Sequence, residues 1–427
     1  MSEAKSPVGR MIFMASLIIS GEAIFSLPFH VTRYFRPTFL DVFGFTNLQL
    51  GQAMAAYGVL SMIAYFFGGP LADRFSARAL MALSLLGTAV GGLYMATIPS
   101  VSGMSLLWGV WGVTTILLFW AALIKATRTW GGADGQGRAF GILDGGRGLL
   151  SALMAVIVVL LFKSFMPEDA STATPEQRTV ALQNVIYAYV ALTGGASILV
   201  WFGVSDEAQA VPTEKAPKPS WLNVWQVLKR PTIWMHAFIV IAAYVAYKGT
   251  DFFTLFAVNG YGLNEVEAAE IGAISAWVRP IAALAAGLLA DRFLSSKVVS
   301  GCFLILVATY GFMGLTPPQA SAHWLLILEI IITCIAVYGL RGVYFALFEE
   351  AALPIGITGT AVGLVSVIGY TPDIFVGLVG GWLVDTYPGV QGHQYFFIFL
   401  GGTAFLGLIA SLAFTSYARR SRSQATS

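Results

Sequence analysis

Long apolar stretches interrupted by short polar or charged segments recur along the whole chain. A helix needs about 20 apolar residues to cross a hydrocarbon core roughly 30 Å thick. The pattern predicts such helices over residues 11 to 33, 47 to 70, 79 to 97, 103 to 125, 139 to 162 and 179 to 203. After a polar gap it predicts six more, over 233 to 257, 266 to 288, 298 to 315, 323 to 346, 358 to 384 and 395 to 416. The runs are too long and too continuously apolar for barrel strands, and a lipid-exposed backbone must bond within its own segment, so helices follow. The predicted fold class is all-α and integral to a membrane, with twelve spans.

Composition agrees. Charged residues make up 11% of the 427 residues and hydrophobic ones 57%, whereas soluble domains carry about 25% charge. The first apolar run is too long for a signal-peptide core and no small-residue cleavage site follows it, so it is read as retained. Lys and Arg mark the cytoplasmic side of short loops. With the N-terminus inside, sixteen bases fall on that side and four outside (Arg33, Arg36, Lys163 and Arg178), with four more within spans. The expectation is a multi-pass inner-membrane protein with both termini in the cytoplasm. Cys302 and Cys334 both lie in apolar runs, so no disulfide framework or thiolate metal set is expected.

The gap "SDEAQAVPTEKAPKPSWLNVWQVLKRP" is polar and proline-bearing, with Trp221 to Lys229 as a candidate interfacial helix. It divides the chain into an N-terminal bundle over 1–203, a cytoplasmic linker over 204–232 and a C-terminal bundle over 233–427. The halves echo one another. Gly69, Leu71, Ala72, Asp73, Arg74 and Phe75 match Gly287, Leu289, Ala290, Asp291, Arg292 and Phe293 at an offset of 218, and "GRAFGIL" from Gly137 echoes "GTAVGLV" from Gly359 at 222. Two echoes at nearly one offset argue for a duplicated six-helix unit. Parallel repeats of this kind occur in alternating-access transporters, whose sites lie near the bilayer midplane between the halves.

The repeated Gly-x-x-x-Asp-Arg loop resembles the signature of the major facilitator superfamily, and the twelve-span plan agrees over the whole chain. The resemblance implies two pseudo-symmetric six-helix bundles. It also implies a gating role for Asp73, Arg74, Arg78, Asp291 and Arg292, with the Asp73 carboxylate near a helix N-terminus of the other half. The match departs at Ser76, where a second glycine is usual, and at the basic pair, of which only Arg78 remains.

A charge at mid-bilayer costs about 2.5 to 3.5 kcal/mol on insertion scales, so each one calls for a function or a partner. Arg147, Lys248, Arg279 and Arg341 lie inside spans, with Glu22, Asp144, Asp251, Glu329 and Asp373 as acidic companions. Asp144 with Arg147, and Lys248 with Asp251, are three residues apart and share a helix face, so each pair either neutralises itself or lines a cavity. Glu22, Ser26, Phe29 and Arg33 fall at helical spacing, which puts a mid-membrane acid and an outer-end base on one face. Glu22 either takes up a proton as a coupling group or pairs with Lys248 or Arg279. Asp373, with Tyr370 one turn before it, carries the same two readings. Arg341 lies near a span end, where it would snorkel or meet Glu349. Trp108, Trp111, Trp120 and Trp277 are read as packing residues that could also wall a cavity.

"WVRPIAALAAGLLADRF" resembles span eight of the monocarboxylate transporters and oxalate/formate exchangers. The resemblance implies that Arg279 binds a substrate carboxylate. "TAVGLVSVIGYTPDIFVGLVGGWLVDTY" resembles their span eleven, and sugar-phosphate antiporters share similar glycine spacing.

The functional expectation is a secondary transporter of a small organic anion, a carboxylate or phosphate ester, coupled to protons or to a counter-anion and working as a monomer in the lipid bilayer. Arg279, Lys248, Arg147, Arg33 and Tyr370 would bind the substrate, and Glu22, Asp251, Asp373 and Asp144 would carry protons. The alternative is a proton-coupled exporter of cationic or lipophilic compounds, with the acids as working residues. No enzyme motif, cofactor, metal site or nucleic-acid partner is expected; His30, His236, His323 and His393 fall at four separate span ends.

Overall fold

A computed structural model describes residues 7–132, 135–205, 221–319, 321–350 and 355–425, with the side chains of 221–224, 349, 355–359 and 419–425 outside that description. The described residues are helical and form no strand. Twelve helices are long and apolar enough to cross a membrane. In the first half they are α1 (Pro7–Tyr34), α2 (Asn47–Arg74), α3 (Ala77–Met95), α4 (Val101–Gly131), α5 (Gln136–Ser164) and α6 (Pro175–Gly203). In the second they are α7 (Pro231–Tyr261), α8 (Glu265–Arg292), α9 (Ser295–Leu315), α10 (His323–Ala346), α11 (Thr360–Thr386) and α12 (Val390–Ala418). All twelve fall where hydropathy predicts them. A short helix, Trp221–Leu228, precedes α7; linker residues 206–220 and the Glu349 side chain lie outside the described residues.

Local sequence sets the helix ends. Thr46 accepts from the Gln49 N–H at 3.2 Å while Gln49 accepts from the Thr46 N–H at 2.9 Å. Thr174 and Gln177 repeat this capping box at the start of α6. In each box two otherwise orphaned donors are satisfied reciprocally. Gly44 and Gly262, 218 positions apart, take left-handed φ values of 63° and 69° where the segment after α1 and helix α7 end. Only glycine adopts that conformation without a steric cost.

Packing repeats as well. Helix α1 packs on α5 and α6, as α7 does on α11 and α12; α3 packs on α4 and α6, as α9 does on α10 and α12. Close backbone approach is matched: a Cβ on Gly112 of α4 would lie 2.8 Å from the Tyr57 carbonyl of α2, and one on Gly342 of α10 would lie 3.1 Å from the Ala283 carbonyl of α8. Small residues at such crossings let helices gain dispersion contact in lipid, where hydrophobic collapse supplies no drive.

The chain forms two compact units, Met1–Pro212 with Leu263–Trp277, and Thr213–Gly262 with Val278–Ser427. The first unit's core includes Trp108, Trp111, Tyr189, Phe39 and Phe162. The start of α8 belongs to it, with Val266, Ala269 and Ala273 in that core. There Arg178 pairs with Glu265 at 2.8 Å and Asp41 at 3.6 Å, and Lys163 pairs with Glu270 at 2.8 Å. In the second unit Phe252, Phe256, Phe303, Tyr310 and Phe397 are buried. Large apolar side chains such as Phe66, Leu106, Leu284 and Leu288 are exposed, as lipid-facing positions require.

Candidate functional site

Two clusters of buried charge form, each joining the first and fifth helix of its half. In the first unit Glu22 on α1 is 2% exposed. Its carboxylate lies 3.6 Å from Arg147 Nε on α5 and 3.5 Å from His30 Nε2. Arg147 also donates to the Gly21 carbonyl at 3.0 Å. A Cβ on Gly21 would come within 3.0 Å of the Arg147 side chain, so this glycine makes room for the arginine. The guanidinium lies 5.8 Å from the rings of Phe25 and Trp120. The expected Asp144–Arg147 pair forms at 3.4 Å, but the Asp144 side chain is 72% exposed, so Glu22 is the buried partner.

Two π-helical turns shape this cluster. Ser26–His30 is π-helical and includes Pro28, which offers no N–H to the ladder. Val113–Trp120 is π-helical and ends at Trp120. Such turns are rare and frequent at functional sites. The first one changes the helical register, so the regular spacing expected from Glu22 to Arg33 does not hold. It brings His30, which sequence reasoning set aside as a span-end residue, back onto the Glu22 carboxylate. Within its own unit Glu22 has Arg147 and His30 as its ionic neighbours.

In the second unit Lys248 on α7 lies between two acids, with Asp251 Oδ2 at 3.0 Å and Asp373 Oδ1 of α11 at 3.4 Å. Lys248 and Asp251 are each 5% exposed. The chain tightens to a 3-10 turn over Thr250–Phe252. Helix α11 breaks at Tyr370 and Thr371, between Ile355–Gly369 and Pro372–Thr386, because Pro372 cannot continue the ladder. Asp373 therefore stands in the first turn after the break. The Tyr244 hydroxyl donates to Asp373 Oδ2 at 3.0 Å, and Tyr370 packs edge-on against Tyr244 at 4.9 Å. The Arg341 guanidinium is 3.9 Å from the Tyr247 ring centroid and 5.6 Å from that of Tyr244, while its expected partner Glu349 has its side chain outside the described residues. Sequence reasoning missed Tyr244 and Tyr247, although Tyr244, Tyr247, Lys248 and Asp251 share one helix face by spacing.

A family model of the Major Facilitator Superfamily matches residues 11–371. The chain belongs to the major facilitator superfamily. This major facilitator chain is 30% identical over 418 residues to Inner membrane protein YqcE of Escherichia coli, covering 95% of this chain and 94% of that one. It is 28% identical to Inner membrane protein YihN of the same organism, with 93% of each chain covered. A nitrate/nitrite transporter, NarU of Salmonella typhimurium, is 26% identical over 192 residues, 44% of this chain and 39% of NarU. Among solved structures, a variant of the nucleoside transporter NupG superposes with a TM-score of 0.73 at 15% identity, over 94% of this chain and 99% of that one. A bacterial homolog of the human lysosomal transporter Spinster superposes with a TM-score of 0.70 at 14% identity, over 97% and 96% of the two chains. These structures establish the shared fold. The protein is thus a multi-pass membrane transporter that works by alternating access, and not an enzyme.

The remaining site residues of this major facilitator chain are placed differently from one another. Asp73 and Arg74 are exposed at the end of α2, and Arg78 lies 5.0 Å from the Trp201 ring. Lys125 of α4 donates to the Ala72 carbonyl at 2.6 Å and so caps the end of α2. Ser76, at the departure from the family pattern, caps α3 through the Ala79 N–H. Asp291 and Arg292 are exposed in the second copy of the loop. Arg279 is half-buried on α8 and engaged within the chain. Arg33 is 7% exposed and Arg36 is 2% exposed, with Arg36 Nε donating to Asn47 at 3.1 Å; two bases counted as loop charges are therefore buried. Trp108 and Trp111 are core residues, and their indole N–H groups donate to the carbonyls of Pro28 and Thr88.

Proposed function

We propose that this transporter moves a small organic anion, a carboxylate or phosphate ester, coupled to protons or to a counter-anion, in an inner membrane and as a monomer with both termini cytoplasmic. The observation that carries the proton coupling of this reading is Lys248 held between Asp251 and Asp373 inside spanning helices. Three buried charges are costly to keep in a membrane helix and mark ion or substrate pathways. A lysine between two carboxylates leaves one negative charge in excess, and a bound proton removes it. Glu22, Asp251, Asp373 and Asp144 are the proton carriers of this reading. Arg279, Lys248, Arg147, Arg33 and Tyr370 are its substrate ligands, and Asp73, Arg74, Arg78, Asp291 and Arg292 its gate. The partial likeness to a nitrate/nitrite transporter is consistent with an anionic cargo.

A second reading has a specific observation in its favour. Lys248 is balanced by two acids, and Arg147 lies against Glu22 and Asp144, so each of these groups taken alone favours a cation. That supports export of cationic or lipophilic compounds in exchange for protons. Uptake into proteoliposomes over a panel of carboxylates, phosphate esters and organic cations, with and without a pH gradient, separates the two. Concentrative uptake of an anion on imposing the gradient is the expected result; gradient-driven movement of cations alone would overturn it.

A further inference from the structure

We infer that Arg341 is the cation that receives the anion, and that Lys248, Asp251 and Asp373 set the local charge so that one proton travels with each anion. This rests on the reading of the chain as an anion transporter. It moves the principal substrate contact from Arg279, where the sequence resemblance puts it, to α10.

Arg341 stacks by one face on Tyr247 at 3.9 Å. Its Nη1 is buried and has no hydrogen-bond partner among the described residues. Among the described residues, Tyr244, Tyr247, Tyr344 and Tyr370 are the ionisable groups that act on the guanidinium. A guanidinium stacked by its face keeps its edge for two parallel N–H···O bonds, the geometry that suits a carboxylate or a phosphate. The tyrosine rings give the guanidinium an apolar surround.

Tyr244 links this arginine to the lysine trio, since its ring lies 5.6 Å from the guanidinium while its hydroxyl donates to Asp373 at 3.0 Å. Two bases and two acids sum to zero. A proton delivered by bulk hydronium, which leaves as water when the O–H bond forms on Asp373 or Asp251, raises the sum to one positive charge, and an anion on Arg341 cancels it. An uncompensated charge is expensive where water is excluded. The doubly loaded and the empty states are therefore favoured over the half-loaded ones, which is a positive coupling between the two ligands.

The groups that face Asp373 belong to several elements. Helix α7 contributes Tyr244, Tyr247 and Lys248, and its 3-10 turn contributes Asp251. Tyr370 precedes Asp373 in α11, and α10 contributes Arg341 and Tyr338 through their contacts with Tyr247. On α12, which packs along α11, His393 is held by Asn259 at 3.1 Å and sits by the Leu383–Tyr387 end of α11, away from Asp373.

The test is thermal unfolding of the full-length protein in detergent with lactate or glycerol phosphate, against the neutral controls lactamide and glycerol, across pH. Wild type should be stabilised by at least one of the anions and by neither neutral control. The effect should weaken as pH rises, because the deprotonated quartet is already balanced. Arg341→Gln should weaken the anion by at least about tenfold. Arg341→Lys should keep part of the affinity, having the charge without the fork. Asp373→Asn should bind the anion with an affinity that no longer depends on pH. Wild-type affinity in Arg341→Gln, or an unchanged pH dependence in Asp373→Asn, overturns the inference while leaving anion transport standing. Failure of both anions to stabilise wild type overturns the anion reading as well. Should Arg341→Gln not fold, Arg341→Lys and Asp373→Asn decide the matter.

Discussion

The two buried charge clusters join matching helices of their halves, with the acid and the base exchanged between them. In the first unit an acid on α1 meets a base on α5; in the second a base on α7 meets an acid on α11. Their surroundings differ too. Arg147 shares its charge between buried Glu22 and an Asp144 that is 72% exposed, whereas Lys248 has both acids, Asp251 and Asp373, at 12% side-chain exposure or less. Water therefore relieves part of the imbalance in the first cluster. In the second, the imbalance has to be met by Arg341, by a proton or by a ligand. Duplicated helices thus supply two sites of like geometry, and exposure decides which is the more tightly coupled.

That contrast can be broken by removing one charge at a time. Lys248→Met leaves two buried carboxylates facing each other, and should lower stability by about 3 to 5 kcal/mol in detergent unfolding. Adding Asp373→Asn to that variant should recover part of the loss, a coupling that a double-mutant cycle reads directly. Arg147→Gln should cost less, about 1 to 3 kcal/mol, because His30 still faces Glu22 and Asp144 is hydrated. Equal losses for Lys248→Met and Arg147→Gln would remove the distinction between the clusters. Asp144→Asn should change stability by less than about 1 kcal/mol, as exposed pairs do. Lys163→Ala should leave the unfolding midpoint unchanged, since both members of its pair with Glu270 are about half exposed.

The twelve helices were legible because each apolar run is a local property of the chain. The pairs Asp144–Arg147 and Lys248–Asp251 were legible for the same reason, being one turn apart on a single helix. What was not legible lies between helices. Glu22 with Arg147 spans 125 positions, as does Lys248 with Asp373, and no local pattern links them. His30 was hidden by a π-helical turn, which a regular helical wheel does not contain. Arg341 was assigned by its depth along a span, but the direction of a side chain around the helix decides its neighbours. A closer reading of Tyr244, Tyr247, Lys248 and Asp251 as one stripe would have marked α7 as the helix on which an aromatic and charged site is built.

The central claim is that the second-unit quartet takes up a proton when it takes an anion. The direct measurement is proton uptake from a weakly buffered detergent solution, read with a pH indicator, as lactate or glycerol phosphate is titrated onto the purified protein. The account predicts about one proton taken up per anion bound by wild type and none by Asp373→Asn. Anion binding by wild type without proton uptake, or equal uptake by Asp373→Asn, would contradict it.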